Sequence, residues 1–293
     1  MKYLYYPGCS LSSTGLPYEE SLLAVFGALN VSFAELDDWN CCGATAYMAV
    51  DESKAIALAA RNLALAEEQG QATANGGTQI LAPCAACYLG LTKAKKYMEE
   101  QPELRKRVVG ALGKASLKYE GNVKVRHPLD VLVNDIGLKV VAERVKKPLK
   151  DLKVACYYGC QIVRPYALFD DQHDPTTMDQ IIKALGGTVI DWPLKTRCCG
   201  GTLTGTIEDV GNRLNYILLR EARRRGADVI ATACPLCQFN LECNQDKISE
   251  QNNDRISVPV AYFTQLMGLA YGISEQQLGL QRMFVNVKAA AAA

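Results

Sequence analysis

The sequence predicts an α/β protein of two homologous halves, each a Rossmann-like parallel sheet flanked by helices and related by internal duplication. Three observations carry this. Apolar strand-like runs alternate with amphipathic helical stretches, the series occurs twice, and cysteines recur at the same places in both passes. Alternation of strand and helix implies parallel sheets covered by helices.

The first pass opens at Lys2 with "KYLYYPGC" and the second at Lys153 with "KVACYYGC". Each is a short β-rich run closing on Gly-Cys, a strand entering a turn, and puts Cys9 and Cys160 in matching positions. A helical stretch and a second strand follow, "VSFAEL" in one half and "GTVIDW" in the other. Adjacent cysteines come next, Cys41-Cys42 in "WNCCGAT" and Cys198-Cys199 in "KTRCCGG". Neighbouring cysteines join in a disulfide only through a strained ring, so the repeated pair needs another explanation.

Amphipathic helices follow, "DESKAIALAARNLALAEEQG" and "IEDVGNRLNYILLREARRRG", with apolar residues at three-to-four spacing and a glycine stop. Then "QILAPCAAC" and "DVIATACPLC" run a strand into C-x-x-C at the head of a helix: Cys84 and Cys87, then Cys234 and Cys237. The tails "VRHPLDVLVNDIG" and "VPVAYFTQLMGLAYG" also correspond. The basic segment Lys93 to Lys150 reads as a helical hairpin plus linker, so the domains are 1–149 and 150–293. The first half has 41 residues between Cys42 and Cys84 where the second has 34 between Cys199 and Cys234; the excess, around "QATANGGT", reads as a surface loop. Every cysteine group therefore follows a strand, and in parallel sheets the carboxyl ends of strands form the ligand crevice.

Composition narrows the chemistry. The 293 residues are 49% hydrophobic with a formal charge of +1, which is no signature of nucleic-acid binding. No apolar run approaches the ~20 residues of a membrane span, and the start lacks the apolar core of a signal peptide. The expectation is a cytoplasmic protein. The closing "KAAAAA" carries no fold information. Twelve cysteines in a reducing compartment point to metal binding over a disulfide framework.

Each half supplies five patterned cysteines, one more than the four that satisfy a structural zinc or a cubane iron–sulfur cluster. Either one thiol per half is free and functional, or the cluster is not a cubane and some thiolates bridge irons.

The set Cys9, Cys41-Cys42-Gly43, Cys84-x-x-Cys87, repeated as Cys160, Cys198-Cys199-Gly200, Cys234-x-x-Cys237, resembles the cysteine-rich CCG domain. Two such domains, with "FDDQHDPTTMDQIIKALGG", "DWPLKTRCCGG" and "APCAACY", resemble the B subunit of heterodisulfide reductase over nearly the whole chain. Tyr157 and Gln161 stand where methanogen members often carry histidine, so the resemblance is to bacterial members. It implies that the ten cysteines bind two noncubane [4Fe-4S] clusters facing one pocket. There a small disulfide is cleaved to two thiols in one-electron steps, and the protein is a disulfide oxidoreductase active within a complex.

The chain has neither a ferredoxin-type cysteine run nor a G-x-G-x-x-G fingerprint, so flavin and nicotinamide are not expected on it. The resemblance supplies the partners: a ferredoxin-like C subunit with cubane [4Fe-4S] clusters, and a flavin-containing A subunit with further redox proteins behind it. Arg164, Lys195 and Arg197, near second-half cysteines, are the substrate-pocket candidates. They stabilise an anionic reduced cluster or hold an anionic substrate tail, against the plainer reading of solvated charge. Cys156 and Cys243 lack counterparts and read as small buried apolar residues. His127 reads as a packing or helix-start residue and His173 as an exposed loop residue.

Two other function classes compete. One is an electron-transfer CCG subunit, relay or quinone-linked, of another dehydrogenase, with no disulfide substrate of its own. The other is a zinc-stabilised scaffold, against which the fifth cysteine counts.

Overall fold

A computed structural model describes residues 2–44, 46–70 and 77–287. It contains two four-stranded sheets, parallel throughout. The first has strands β1 (Lys2–Tyr5), β2 (Ser32–Glu35), β3 (Gln79–Leu81) and β4 (Lys124–Arg126) in the order β2-β1-β3-β4. The second has β5 (Lys153–Tyr157), β6 (Thr188–Val189), β7 (Val229–Thr232) and β8 (Val260–Tyr262) in the order β6-β5-β7-β8. The duplicated α/β architecture is therefore as the sequence predicts. Strands buried on both faces read as continuous apolar runs, and all four residues of β7 are buried.

The predicted amphipathic helices form at Glu52–Gln69 and Glu208–Arg224. Asp51 caps the first, accepting the Lys54 N–H at 3.1 Å. Its buried stripe is Ala55, Ile56, Ala59, Ala60, Leu63 and Ala66, at helical spacing. Each C-x-x-C opens a helix, with Cys84 at the position before Ala85–Glu100 and Cys234 at the position before Pro235–Cys243.

The basic segment after Lys93 is more than a hairpin and linker. The hairpin is there, Ala85–Glu100 followed by Pro102–Lys114, but the chain then adds β4 to the sheet. Glu67 organises the turn before β4, its carboxylate accepting the N–H groups of Glu120, Gly121 and Asn122 at 2.6 to 2.7 Å. Lys95 donates to the carbonyls of Gly121 and Val123 from the other side. Most of the extra loop expected around "QATANGGT", residues 71–76, and the tail 288–293 lie outside the described residues.

The chain divides into two compact units. One comprises Met1–Ser12 and Val31–Pro128, the other Ser13–Asn30 and Leu129–Ala293. The units therefore differ from a simple cut between halves. The Leu16–Ala28 helix, which follows β1 in sequence, packs in the second unit on the Phe263–Ala270 helix. Tyr18 stacks on Tyr262 with ring centroids 4.5 Å apart, and the buried hydroxyls of Ser21 and Thr264 are 2.6 Å apart.

Candidate metal centres

In the first unit, Cys9 follows β1, the Cys41-Cys42 pair follows β2, and Cys84 and Cys87 follow β3. All three groups lie beyond the carboxyl ends of adjacent strands, where the order β2-β1-β3 reverses direction about β1. The second unit repeats this with Cys160 after β5, Cys198-Cys199 after β6, and Cys234 and Cys237 after β7.

The thiols meet in close pairs. Cys42 Sγ lies 3.5 Å from Cys87 Sγ, and Cys199 Sγ lies 3.5 Å from Cys237 Sγ. Cys9 Sγ and Cys41 Sγ are 3.8 Å apart. Among the described residues, no three His, Cys, Asp or Glu side chains close on a single ion position. Cys42, Cys84, Cys87, Cys199, Cys234 and Cys237 are buried, whereas Cys9, Cys41 and Cys198 are exposed and Cys160 is half-buried.

Glycine makes the crowding feasible. Gly8 and Gly159 both take φ +68°, a left-handed conformation that disfavours any Cβ. A Cβ at Gly8 would lie 2.8 Å from Cys87 Sγ, and one at Gly159 would lie 3.1 Å from Cys237 Sγ.

Crowded thiols resist ionising together. Cys41 is held down to about 2 by bonds from Cys42 and Cys9 and by the Gly43 N–H, while Cys42 is pushed up to about 12, chiefly by its bond to Cys41. The second unit repeats the pattern. Cys198 is held down to about 2 by Cys160 and Cys199, with the Gly200 N–H and the Arg164 charge adding to this, and Cys199 is pushed up to about 11 by Cys198. Cys9, Cys87, Cys160 and Cys237 are all raised, each with a bond to a neighbouring cysteine as the leading cause. Full deprotonation of either set thus requires compensating positive charge, which a polynuclear metal group brings. A donor set of five soft thiols fits an iron–sulfur group, and it exceeds what one tetrahedral zinc takes.

Two tyrosines missed in the sequence support the centres. Tyr6 Oη donates to the carbonyl of Asn40 at 2.8 Å, and Tyr157 Oη donates to that of Arg197 at 2.6 Å. Each accepting residue immediately precedes a Cys-Cys pair. Burial first, and then the nearby cysteines, hold both hydroxyls well above the ordinary tyrosine range, so they stay donors at neutral pH. The duplication contained the signal, since both tyrosines stand three residues before the first patterned cysteine of their half.

The structure separates the three predicted substrate-pocket cations. Lys195 is buried and its ammonium is fully engaged, by Asp179 at 2.6 Å, Asp174 at 2.9 Å and the Pro175 carbonyl at 3.2 Å. Its own carbonyl accepts the N–H groups of Tyr158 and Gly159 in the turn before Cys160. Arg164 is half-buried, bonds to the Thr196 carbonyl, and lies close enough to Cys198 to favour its thiolate. Arg197 is exposed. His127 is buried, with Nε2 3.1 Å from the Pro83 carbonyl, and His173 is exposed. Cys156 is buried in β5, and Cys243 is half-buried at the end of its helix.

The comparisons decide the family. The model of the cysteine-rich domain CCG matches residues 3–92 and again 154–242. The chain belongs to the CCG cysteine-rich domain family. This CCG protein is 31% identical to the "8-methylmenaquinol:fumarate reductase membrane anchor subunit" of Wolinella succinogenes, over 97% of each chain. It is 28% identical to the B subunit of the ferredoxin/F(420)H(2)-dependent CoB-CoM heterodisulfide reductase of Methanosarcina acetivorans, over 94% of this chain and 91% of that one. A hypothetical protein from Helicobacter pylori shares the fold with TM-score 0.76 and 16% identity, covering 97% of this CCG chain and 52% of its own. Among the described residues, no helix is long and apolar enough to cross a membrane.

Proposed function

We propose that this chain is an iron–sulfur redox subunit of a multi-subunit reductase. The five patterned cysteines of each half, with the domains taken as 1–149 and 150–293, hold one noncubane [4Fe-4S] cluster. The reaction is cleavage of a small disulfide to two thiols. The doubled five-thiol crevice supports this most directly, because it offers a soft donor set with a fifth ligand at the strand ends of both units. Bound clusters would supply one-electron transfer.

The residues of the chain position and tune. Breaking the sulfur–sulfur bond takes two electrons and two protons and yields two thiols, and one-electron clusters held by the two cysteine sets would together supply the electrons. Tyr6 and Tyr157 hold the Cys-Cys turns, Arg164 offsets negative charge at Cys198, and Arg197, whose exposure supports the role, takes an anionic substrate tail. Lys195 acts by fixing the turn before Cys160. The electrons come from partner proteins, one ferredoxin-like with cubane clusters and one carrying flavin, and the site of action is cytoplasmic. The relatives named as reductase subunits support a place in such a complex.

A second reading, quinol-linked electron transfer without a disulfide substrate, is favoured by the relative named as a methylmenaquinol:fumarate reductase subunit. One experiment separates these readings. The complex is purified anaerobically, iron and sulfide are measured against an expectation of about eight each per chain, and turnover is assayed with small disulfides and with a quinol analogue. Zinc in place of iron rejects both readings; quinol turnover with no disulfide turnover selects the second.

A further inference from the structure

The two crevices repeat each other at the cysteines, at Gly8 and Gly159, and at the tyrosines, and they diverge at the third residue after each C-x-x-C. Three residues after Cys237 stands Asn240; three residues after Cys87 stands Gly90. Asn240 is 1% exposed, and its amide is fully used. Nδ2 donates to the Gly201 carbonyl at 2.8 Å and to Cys199 Sγ at 3.4 Å, while Oδ1 accepts the Thr204 hydroxyl at 2.8 Å. The Gly201 carbonyl can only accept, so it fixes which end of the amide faces the sulfur. At Gly90 no side chain exists to make the matching contact, though a Cβ there would lie 3.6 Å from Cys42 Cβ, an ordinary contact.

An N–H aimed at a ligand sulfur stabilises the more negative, reduced form of a cluster and raises its potential. In the second crevice Arg164 also bonds the Thr196 carbonyl, two residues before Cys198. We infer that Asn240 is a tuning residue that makes the second-unit centre the more oxidising of the two, so that electrons gather there. This rests on the proposed iron–sulfur reading, and it assigns the two centres different roles within it.

The test is potentiometric EPR titration of the intact anaerobic complex. Four forms are compared: wild type, Asn240→Leu, Gly90→Asn and Gly90→Ala. Asn240→Leu keeps the volume and deletes the donor; it should lower the midpoint of the higher-potential component attributable to this chain and leave the other in place. Gly90→Asn should raise the lower component, and Gly90→Ala, which adds bulk without a donor, should move neither. The inference is overturned if Asn240→Leu moves the lower component, both components or none. It is equally overturned if Gly90→Ala shifts a midpoint as far as Gly90→Asn does. Should Asn240→Leu fail to assemble, the Gly90 pair decides alone: a rise confined to Gly90→Asn supports the inference and equal behaviour of the pair rejects it. Absence of iron and sulfide from the wild-type chain is a separate result, and it rejects the proposed function itself.

Discussion

Tyr157 donates its hydroxyl to the carbonyl of Arg197 at 2.6 Å, tying the end of β5 to the residue before Cys198. Deleting that hydroxyl leaves the carbonyl without its buried donor, at a cost of about 1–3 kcal/mol. Tyr157→Phe should therefore lower the denaturant midpoint of the metal-free protein and speed loss of iron to a chelator. Tyr6→Phe should do the same in the first unit.

Gly8→Ala combines two penalties. A left-handed backbone costs a residue with a Cβ roughly 1–2 kcal/mol, and here the new carbon would press on Cys87 Sγ. Purified Gly8→Ala should carry about half the iron of the wild type, because only one of two centres is disturbed. Full iron content would show that the turn is not needed to hold the group.

The ligand set is checked by subtraction. Cys42→Ser should lower iron and sulfide by about half. Cys243→Ser should leave both unchanged, since Cys243 lies at the far end of the Pro235–Cys243 helix from Cys237. Metal analysis on the paired variants reads this directly.

Lys195 and Asp179 form a buried ion pair, and breaking one partner out of such a pair costs about 3–5 kcal/mol. Lys195→Met should be destabilised by that order at neutral pH. Burial pulls the Lys195 ammonium down, but its bonds to Asp179 and Asp174 outweigh this and leave it raised. A lysine raised on folding contributes stability that is complete below its unfolded pKa of about 10.4 and is lost as pH climbs through the folded value. The gap between wild type and Lys195→Met should therefore narrow above pH ~10.4. Urea unfolding of the reduced, metal-free proteins at pH 8 and pH 11 measures it; a constant gap would exclude the ion pair as its source.

A fragment of residues 129–293 contains the whole second sheet yet lacks Ser13–Asn30. It would uncover Tyr262 and Phe263, both fully buried against Tyr18 and its helix. Each such side chain is worth roughly 1.5–3 kcal/mol of burial. The fragment should bind a hydrophobic dye and show shallow unfolding, and a peptide of residues 13–30 added in trans should sharpen the transition.

The duplication and the cysteine placement were legible because each thiol group stands at a strand end, where apolar run and turn chemistry are both local signals. The helices were legible from spacing alone. What covers a helix was not. The stripe Tyr18, Leu22, Val25 and Phe26 looks the same whichever sheet receives it, so the departure of the Leu16–Ala28 helix into the second unit left no mark. Lys195 read as a pocket cation because its partners, Asp179 and Asp174, lie 16 and 21 residues away in the chain. Asn240 stayed hidden for the opposite reason: comparing the halves highlights what is shared, and its counterpart is a glycine.

Ser21 meets Thr264 across 243 positions of sequence. The Leu16–Ala28 helix thus has no berth until β8 and the Phe263–Ala270 helix after it have been made. β1 and β2 flank that waiting segment, so their pairing closes a loop around it. Closing such a loop costs little more per added residue but delays the contact. The core of the second unit therefore closes only when the early helix has found its late partner.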